Sequence, residues 1–276
     1  MIKDFLKKQF IFWCFYRLRL LFWSEERLKS QILARAHLLE KANRQGTDNR
    51  FLARELVILF STLSKREATA DQSLCWANEI LFNTQFKVKL ESDNADSYSN
   101  EKSRAIEKVI RNRRSIRRWS TKKVNLNDIT DAIDAAKWAP NSCNRQGWFF
   151  LVLNKRDDFL YVKKLTNQDF FLQSKVLIVA MIDSSKYSRS DLVYGYLDVA
   201  AAIQNLLLVL HSRNLGACWL GLKESVNFRK NVVVFRRRFQ LKENYLPISF
   251  LAVGYYDEKP KPPLRKSSAE IYKIIK

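Results

Sequence analysis

The sequence predicts an α+β domain preceded by a helical N-terminal region. Residues 1–90 contain no proline and a single glycine, Gly46, and place Leu52, Leu56, Leu59 and Leu63 at helical spacing. Residues 91–100 are polar and rich in Ser, Asp and Asn, with Ala95 and the amphipathic Tyr98 as their only apolar members. Beyond them, short, strongly apolar runs are mixed with amphipathic stretches. The predicted division is a helical extension over 1–90, a linker over 91–103, and an α+β domain over 104–276.

The elements follow in chain order. The first 23 residues are dense in aromatics (Phe5, Phe10, Phe12, Trp13, Phe15, Tyr16, Phe22, Trp23) interleaved with Lys7, Lys8, Arg17 and Arg19. That mixture suits a helix packed on the rest of the protein, or one lying in a membrane interface. The apolar run 10–16 is too short to span a bilayer and no small-residue cleavage site follows it. A cytoplasmic protein is expected, with peripheral membrane contact through this segment as a further possibility. Asn125 is placed to cap a helix whose apolar positions are Leu126, Ile129, Ile133 and Ala136, with Asp128 in its first turn, and the helix must stop before Pro140. Residues 148–153, 176–182 and 250–255 read as strands. Residues 192–210 are apolar almost all round, with Ala200, Ala201 and Ala202 allowing close approach, and predict a buried helix at a subunit interface.

Charge and cysteine content narrow the function. The net charge is +21, and it is uneven: residues 1–100 carry 16 Lys and Arg against 12 Asp and Glu, leaving 33 against 16 for residues 101–276. Such a field attracts phosphates, dinucleotides and acidic substrates, and also RNA or anionic membranes. The cysteines, Cys14, Cys75, Cys143 and Cys218, are widely spaced, and His37 and His211 are the only histidines, so neither a zinc site nor a disulfide framework is expected. No Ser/His/Asp triad, metal-ligand cluster or P-loop is recognisable.

Two segments carry the chemistry. Arg113-Arg114-Ser115-Ile116-Arg117 puts three guanidiniums and a hydroxyl in five residues, which suits holding a phosphate by charge-assisted hydrogen bonds. Ala139-Pro140-Asn141-Ser142-Cys143-Asn144-Arg145-Gln146-Gly147-Trp148 is a proline-led polar turn running into an aromatic strand. Two more follow: Leu215-Gly216-Ala217-Cys218-Trp219-Leu220-Gly221 after the apolar helix, and Val253-Gly254-Tyr255 with Pro260, Lys261 and Arg265 behind it.

In this order the four segments resemble the FMN-dependent nitroreductase family, over about residues 104 to 276. The resemblance implies a mixed sheet flanked by helices, in a homodimer with two FMN sites at its interface. It implies that Arg113, Arg114, Ser115 and Arg117 contact the FMN phosphate and ribityl chain, and that Arg265 reaches the phosphate from the tail. Pro140, Asn141, Ser142, Asn144 and Gln146 would lie against the flavin, commonly that of the partner subunit, and the backbone of Leu220 and Gly221 would edge its reactive N5. Gly147 stands where the family usually has proline, which implies a looser turn. Cys143 would lie near the flavin; a thiol of this kind is usually inert, and a redox role is the alternative. His211 reads as structural. Upstream, Ala36-His37-Leu38-Leu39-Glu40-Lys41 resembles a stretch in the helical extension of nitroreductase-like proteins encoded among polysaccharide-biosynthesis genes, with Ala42 where that subgroup usually has glycine.

The activity implied is oxidoreduction in a ping-pong cycle. NADH or NADPH reduces FMN and leaves, and a small-molecule acceptor then takes the electrons. A flavin-free accessory protein that docks on a membrane or an assembly partner is the alternative. Nucleic-acid binding is not expected, since the charge comes without a recognisable RNA-binding motif.

Overall fold

A computed structural model describes residues 2–66, 72–85, 97–166, 168–221 and 226–275. Its centre is a sheet of four strands, β1 (Trp148–Leu153), β2 (Val176–Asp183), β3 (Gly216–Gly221) and β4 (Tyr245–Gly254), in the order β1-β2-β4-β3. Neighbouring strands are antiparallel. The parallel element among the described residues is an isolated bridge, Ser115 to Ala217, on the outer edge of β3.

Every residue of β2 is buried, and its alternation defines two layers. Ile178, Ala180 and Ile182 face α6 (Leu126–Ala136) and α8 (Leu192–Ser212), joining Ile129, Ala132, Val199, Ile203 and Leu206. Leu177, Val179 and Met181 face the other way, onto Phe159 and Val162 of α7 (Arg156–Thr166) and Phe235 of α9 (Val226–Arg238). The result is a mixed α+β fold with helices on both faces of the sheet, as the resemblance implies. The Asn125 cap is formed, its Oδ1 accepting from the Asn127 N–H at 3.1 Å.

Ahead of the sheet stand α1 (Ile2–Leu21), α2 (Glu25–Gln45), α3 (Arg50–Ser64) and α4 (Gln72–Gln85), around a core of their own that includes Leu28, Leu33, Leu39, Leu56, Leu59 and Ile80. Ser24 caps α2 at its start, and Gly46 ends it in the left-handed conformation, φ 66°, that glycine adopts without strain. Polar links tie this cluster to the sheet region: Ser30 Oγ donates to the Lys186 carbonyl at 2.6 Å, and Lys242 pairs with Glu26 at 3.5 Å.

Three expectations need correction. The last strand begins at Tyr245, ahead of the predicted 250, because Pro247 sits opposite Met181 at a register shift where a missing N–H is tolerated. No strand was expected at β3; glycines at both ends hide it, and pairing with β4 makes it. Residues 91–96 of the expected linker lie outside the described residues, but α5 (Asn100–Asn112) already begins at Asn100, with Ser99 Oγ accepting from the Lys102 N–H at 3.3 Å. Residues 100–103 are therefore helix. The apolar helix expected over 192–210 is α8, with its inner face buried on the sheet and Val193, Tyr194, Tyr196 and Leu197 exposed on the single chain. It is the one helix among the described residues long and apolar enough to cross a membrane, but its inner face packs on the sheet.

Candidate cofactor site

The arginine segment leaves the end of α5 and is laid along β3. Ile116 N–H donates to the Ala217 carbonyl at 3.1 Å, beside the Ser115–Ala217 bridge. Gly216 permits this approach, since a Cβ there would come within 2.6 Å of Ile116 Cγ1 and Tyr256 Cδ1. Arg114 Nη1 is spent on the carbonyls of Arg111 and Arg113, at 2.6 and 2.8 Å, while its Nε is buried without a partner. Burial, then the charges of Arg114 and Arg265, push the pKa of Arg113 below its ordinary value. His211 at the end of α8 is likewise pushed down, by burial and then by Lys259, Arg113 and Arg114. Burial raises the Cys218 thiol, and Arg117 and Arg113 partly oppose this. Arg113, Arg114 and Arg265 thus gather without a carboxylate partner among the described residues. Such a cluster lacks an anion.

Farther along β3, about 7–13 Å from Ala217 at the rise of an extended strand, a cleft of about 520 Å³ opens between Tyr196, Ala200, Trp219, Gly221, Ile248 and Ser249. Ser249 Oγ is buried there with no partner, and a Cβ built on Gly221 would meet nothing. The side chain of Leu220 turns into the sheet core, so backbone is what this residue offers. An unneutralised cationic end and an open, aromatic-lined far end fit an elongated ligand with an anionic group at one end and a flat ring at the other. FMN has that shape and charge.

The proline-led turn is organised differently. Pro140 is exposed, and Asn141, Ser142, Asn144 and Gln146 are half-buried. Cys143, Asn144 and Gln146 adopt the left-handed conformation at φ 53°, 51° and 49°, a backbone that costs energy for residues other than glycine. Internal bonds hold it: Asn141 Oδ1 accepts from Gln146 N–H at 2.9 Å, and Gln146 Nε2 donates to Asn144 Oδ1 at 3.2 Å. The buried carboxylate of Asp198 on α8 accepts from the Ser142 N–H at 3.0 Å and from the Tyr187 hydroxyl at 2.8 Å. Burial first, and then the Asp198 bond, raise the Tyr187 phenol well above its usual range. Buried Arg145 pairs with Asp191 at 3.1 Å and lies over the Tyr187 ring.

This network overturns the expectation that Gly147 loosens the turn. The Tyr187 ring and hydroxyl occupy the space into which a Cβ at 147 would project. Glycine is here because tyrosine fills the place that a side chain would take.

Arg113, Arg114, Ser115, Arg117, Arg265, Leu220 and Gly221 are thus gathered on or beside β3. Pro140, Asn141, Ser142, Asn144 and Gln146 are held elsewhere, near the start of α8. The helix rise puts Asp198, which holds the turn, about 20 Å from His211, which faces the arginines. Sequence reasoning missed Asp198, Tyr187, Arg145 and Ser249. A lone acid inside an apolar helix could have flagged Asp198; the others carry no local signal.

Residues 110–165 and 156–255 match the model of the nitroreductase family. A Methanothermobacter thermautotrophicus protein provisionally named NADH dehydrogenase/NAD(P)H nitroreductase is 30% identical over 153 residues, covering 55% of this chain and 78% of its own. Among solved structures, a provisionally named NADH oxidase of Clostridium acetobutylicum superposes with TM-score 0.53 at 32% identity, over 61% of this chain and 99% of that one. A provisionally named nitroreductase of Desulfovibrio desulfuricans, solved in complex with FMN, gives 0.52 at 27% identity, over 60% and 94%. The chain belongs to the nitroreductase family.

Proposed function

We propose that the protein is an FMN-dependent oxidoreductase that passes electrons from NADH or NADPH to a small-molecule acceptor. The observation that carries this reading is the Arg113, Arg114 and Arg265 cluster, which has no carboxylate partner among the described residues, with an open cleft farther along β3. Arg113, Arg114 and Arg265 hold the phosphate, Ser115 and Arg117 contact the phosphate and ribityl chain, and the backbone of Leu220 and Gly221 edges the ring. Bound FMN supplies the electron transfer itself. The protein's share is orientation, positive charge and access, so no side-chain acid or base is assigned.

The turn from Pro140 to Gln146 is proposed to close on the flavin of a partner subunit in a homodimer. Its distance from the arginines along α8 supports this, as does the exposed apolar face of that helix. We assign α1 to α4 to the helical extension of the subgroup encoded with polysaccharide-biosynthesis genes. The motif around His37, Glu40 and Lys41 supports that assignment, with Ala36, Leu39 and Ala42 buried in the separate helical core. A cytoplasmic location is part of the same proposal.

The test is the visible absorbance spectrum of the purified protein, followed by anaerobic titration with NADH and with NADPH. Flavin bands that bleach with one donor support the reading and identify that donor. A colourless protein that takes up no added FMN overturns it and favours the accessory role.

A further inference from the structure

We propose that the outward face of α1 is a docking surface for an anionic lipid bilayer. From Phe12 on, the helix carries apolar side chains on two faces, and the fold buries one of them. Trp13, Tyr16 and Leu20 point inward: Trp13 meets the Phe51 ring at 5.3 Å and lies under Arg54, and burial and Glu55 push the Tyr16 phenol up to about 12. Phe12, Phe15, Leu18, Leu21 and Phe22 point outward, with Phe15 69% and Phe22 88% exposed. At about 100° per residue these five fall within roughly half of the helix circumference. Phe51, also exposed, extends the patch beside Phe12 at 6.2 Å between ring centres.

The patch is presented rigidly. Arg66 Nη2 donates to the carbonyls of Leu20 and Leu21, at 3.0 Å each, and Nη1 reaches that of Trp23, so the last turn of α1 is tied to the end of α3. An apolar face kept in place without a core to fill needs another partner.

Charge selects the partner. Arg17 is exposed at the edge of the aromatic stripe and Arg19 within it, between Phe12 and Phe15 around the helix, and Arg27 stacks over Trp23 at 4.6 Å. From Phe5 to Ser24 the chain has Lys7, Lys8, Arg17 and Arg19 and no Asp or Glu. A second copy meeting this face would bring like charges together, in a chain whose net charge is already +21. Anionic headgroups instead give each cation a counter-charge while the phenylalanines enter the acyl boundary, the pattern of helices that lie in a bilayer surface. This inference stands apart from the flavin reading, because its readout needs no cofactor.

The experiment is co-sedimentation of the full-length protein with phosphatidylcholine vesicles, with and without phosphatidylglycerol, at low and high salt. Binding should need phosphatidylglycerol and weaken with salt. Phe15→Glu with Phe22→Glu, and separately Arg17→Glu with Arg19→Glu, should each weaken it by about tenfold or more, at an unchanged thermal midpoint. The inference is overturned if the parent protein ignores the anionic vesicles, or if both double variants bind as the parent does. It is also overturned if the parent self-associates through this face, Phe15→Glu disperses it, and neither form binds vesicles.

Discussion

The arginine segment and the proline-led turn are both cofactor-directed by resemblance, yet the fold treats them in opposite ways. Arg113, Arg114 and Arg265 are brought together with no carboxylate partner among the described residues, whereas the turn's strained backbone is met by Asn141, Asp198 and Tyr187. One region is a site awaiting its anion, and the other is a finished shape. Substitutions should therefore act on cofactor binding in the first and on folding in the second.

The largest effect is expected from Arg113→Ala with Arg114→Ala. Losing two charge-assisted contacts, each worth about 1.5–3 kcal/mol, should lower FMN affinity by about two orders of magnitude or more. The apoprotein should lose about 1–2 kcal/mol at most, because the bonds that Arg114 makes to the Arg111 and Arg113 carbonyls are lost while the mutual repulsion of the arginines is relieved. Fluorescence titration with FMN and thermal unfolding of the apoprotein separate the two quantities. A folding defect with unchanged affinity would erase the contrast between the regions.

The turn should behave in reverse. Gly147→Ala forces a methyl into the Tyr187 ring and should destabilise the fold by about 1–3 kcal/mol. Tyr187→Phe should cost about 1–3 kcal/mol by leaving the buried Asp198 carboxylate short of a donor. If each residue is there because of the other, Tyr187→Ala should make Gly147→Ala nearly neutral. A double-mutant cycle in urea measures that coupling, and simple additivity would refute it.

Smaller and more local is Gly221→Leu. A Cβ there meets open space, so stability should stay within about 0.5 kcal/mol while the cleft fills and FMN affinity falls. Unchanged affinity would remove the cleft from the site.

The mildest test is a titration of His211. Its folded pKa is depressed, so the unfolded chain binds the proton more readily and the folded state loses stability as pH falls from the unfolded value toward the depressed one. Above the unfolded value the contribution is complete. An anion seated on Arg113 and Arg114 should move the His211 pKa back up, and NMR titration with and without FMN reads this directly. Substituting His37, the other histidine, assigns the signal.

Much of this was legible in sequence because it is local. The α6 cap, β1 and β2, and the α3 leucines follow from periodicity and capping, and the Arg-Arg-Ser-x-Arg and Pro-Asn-Ser-x-Asn-x-Gln patterns are written in consecutive residues. What escaped depends on partners far along the chain. β3 needs β4 to be a strand, and Gly147 makes sense only beside Tyr187. The outer face of α8 reads like its inner face, since apolar side chains look the same whether they meet a sheet or solvent.

The strand order carries a consequence for how the molecule is made. β4 lies between β2 and β3 yet is the last of these four strands to leave the ribosome. Until it arrives, β2 has β1 on one side and an open edge on the other, with apolar side chains on both faces. The cluster of α1 to α4 can condense early, but the sheet cannot close before about residue 254. During that interval the nascent chain displays an unpaired apolar edge, the kind of surface that chaperones hold and that crowded chains aggregate through.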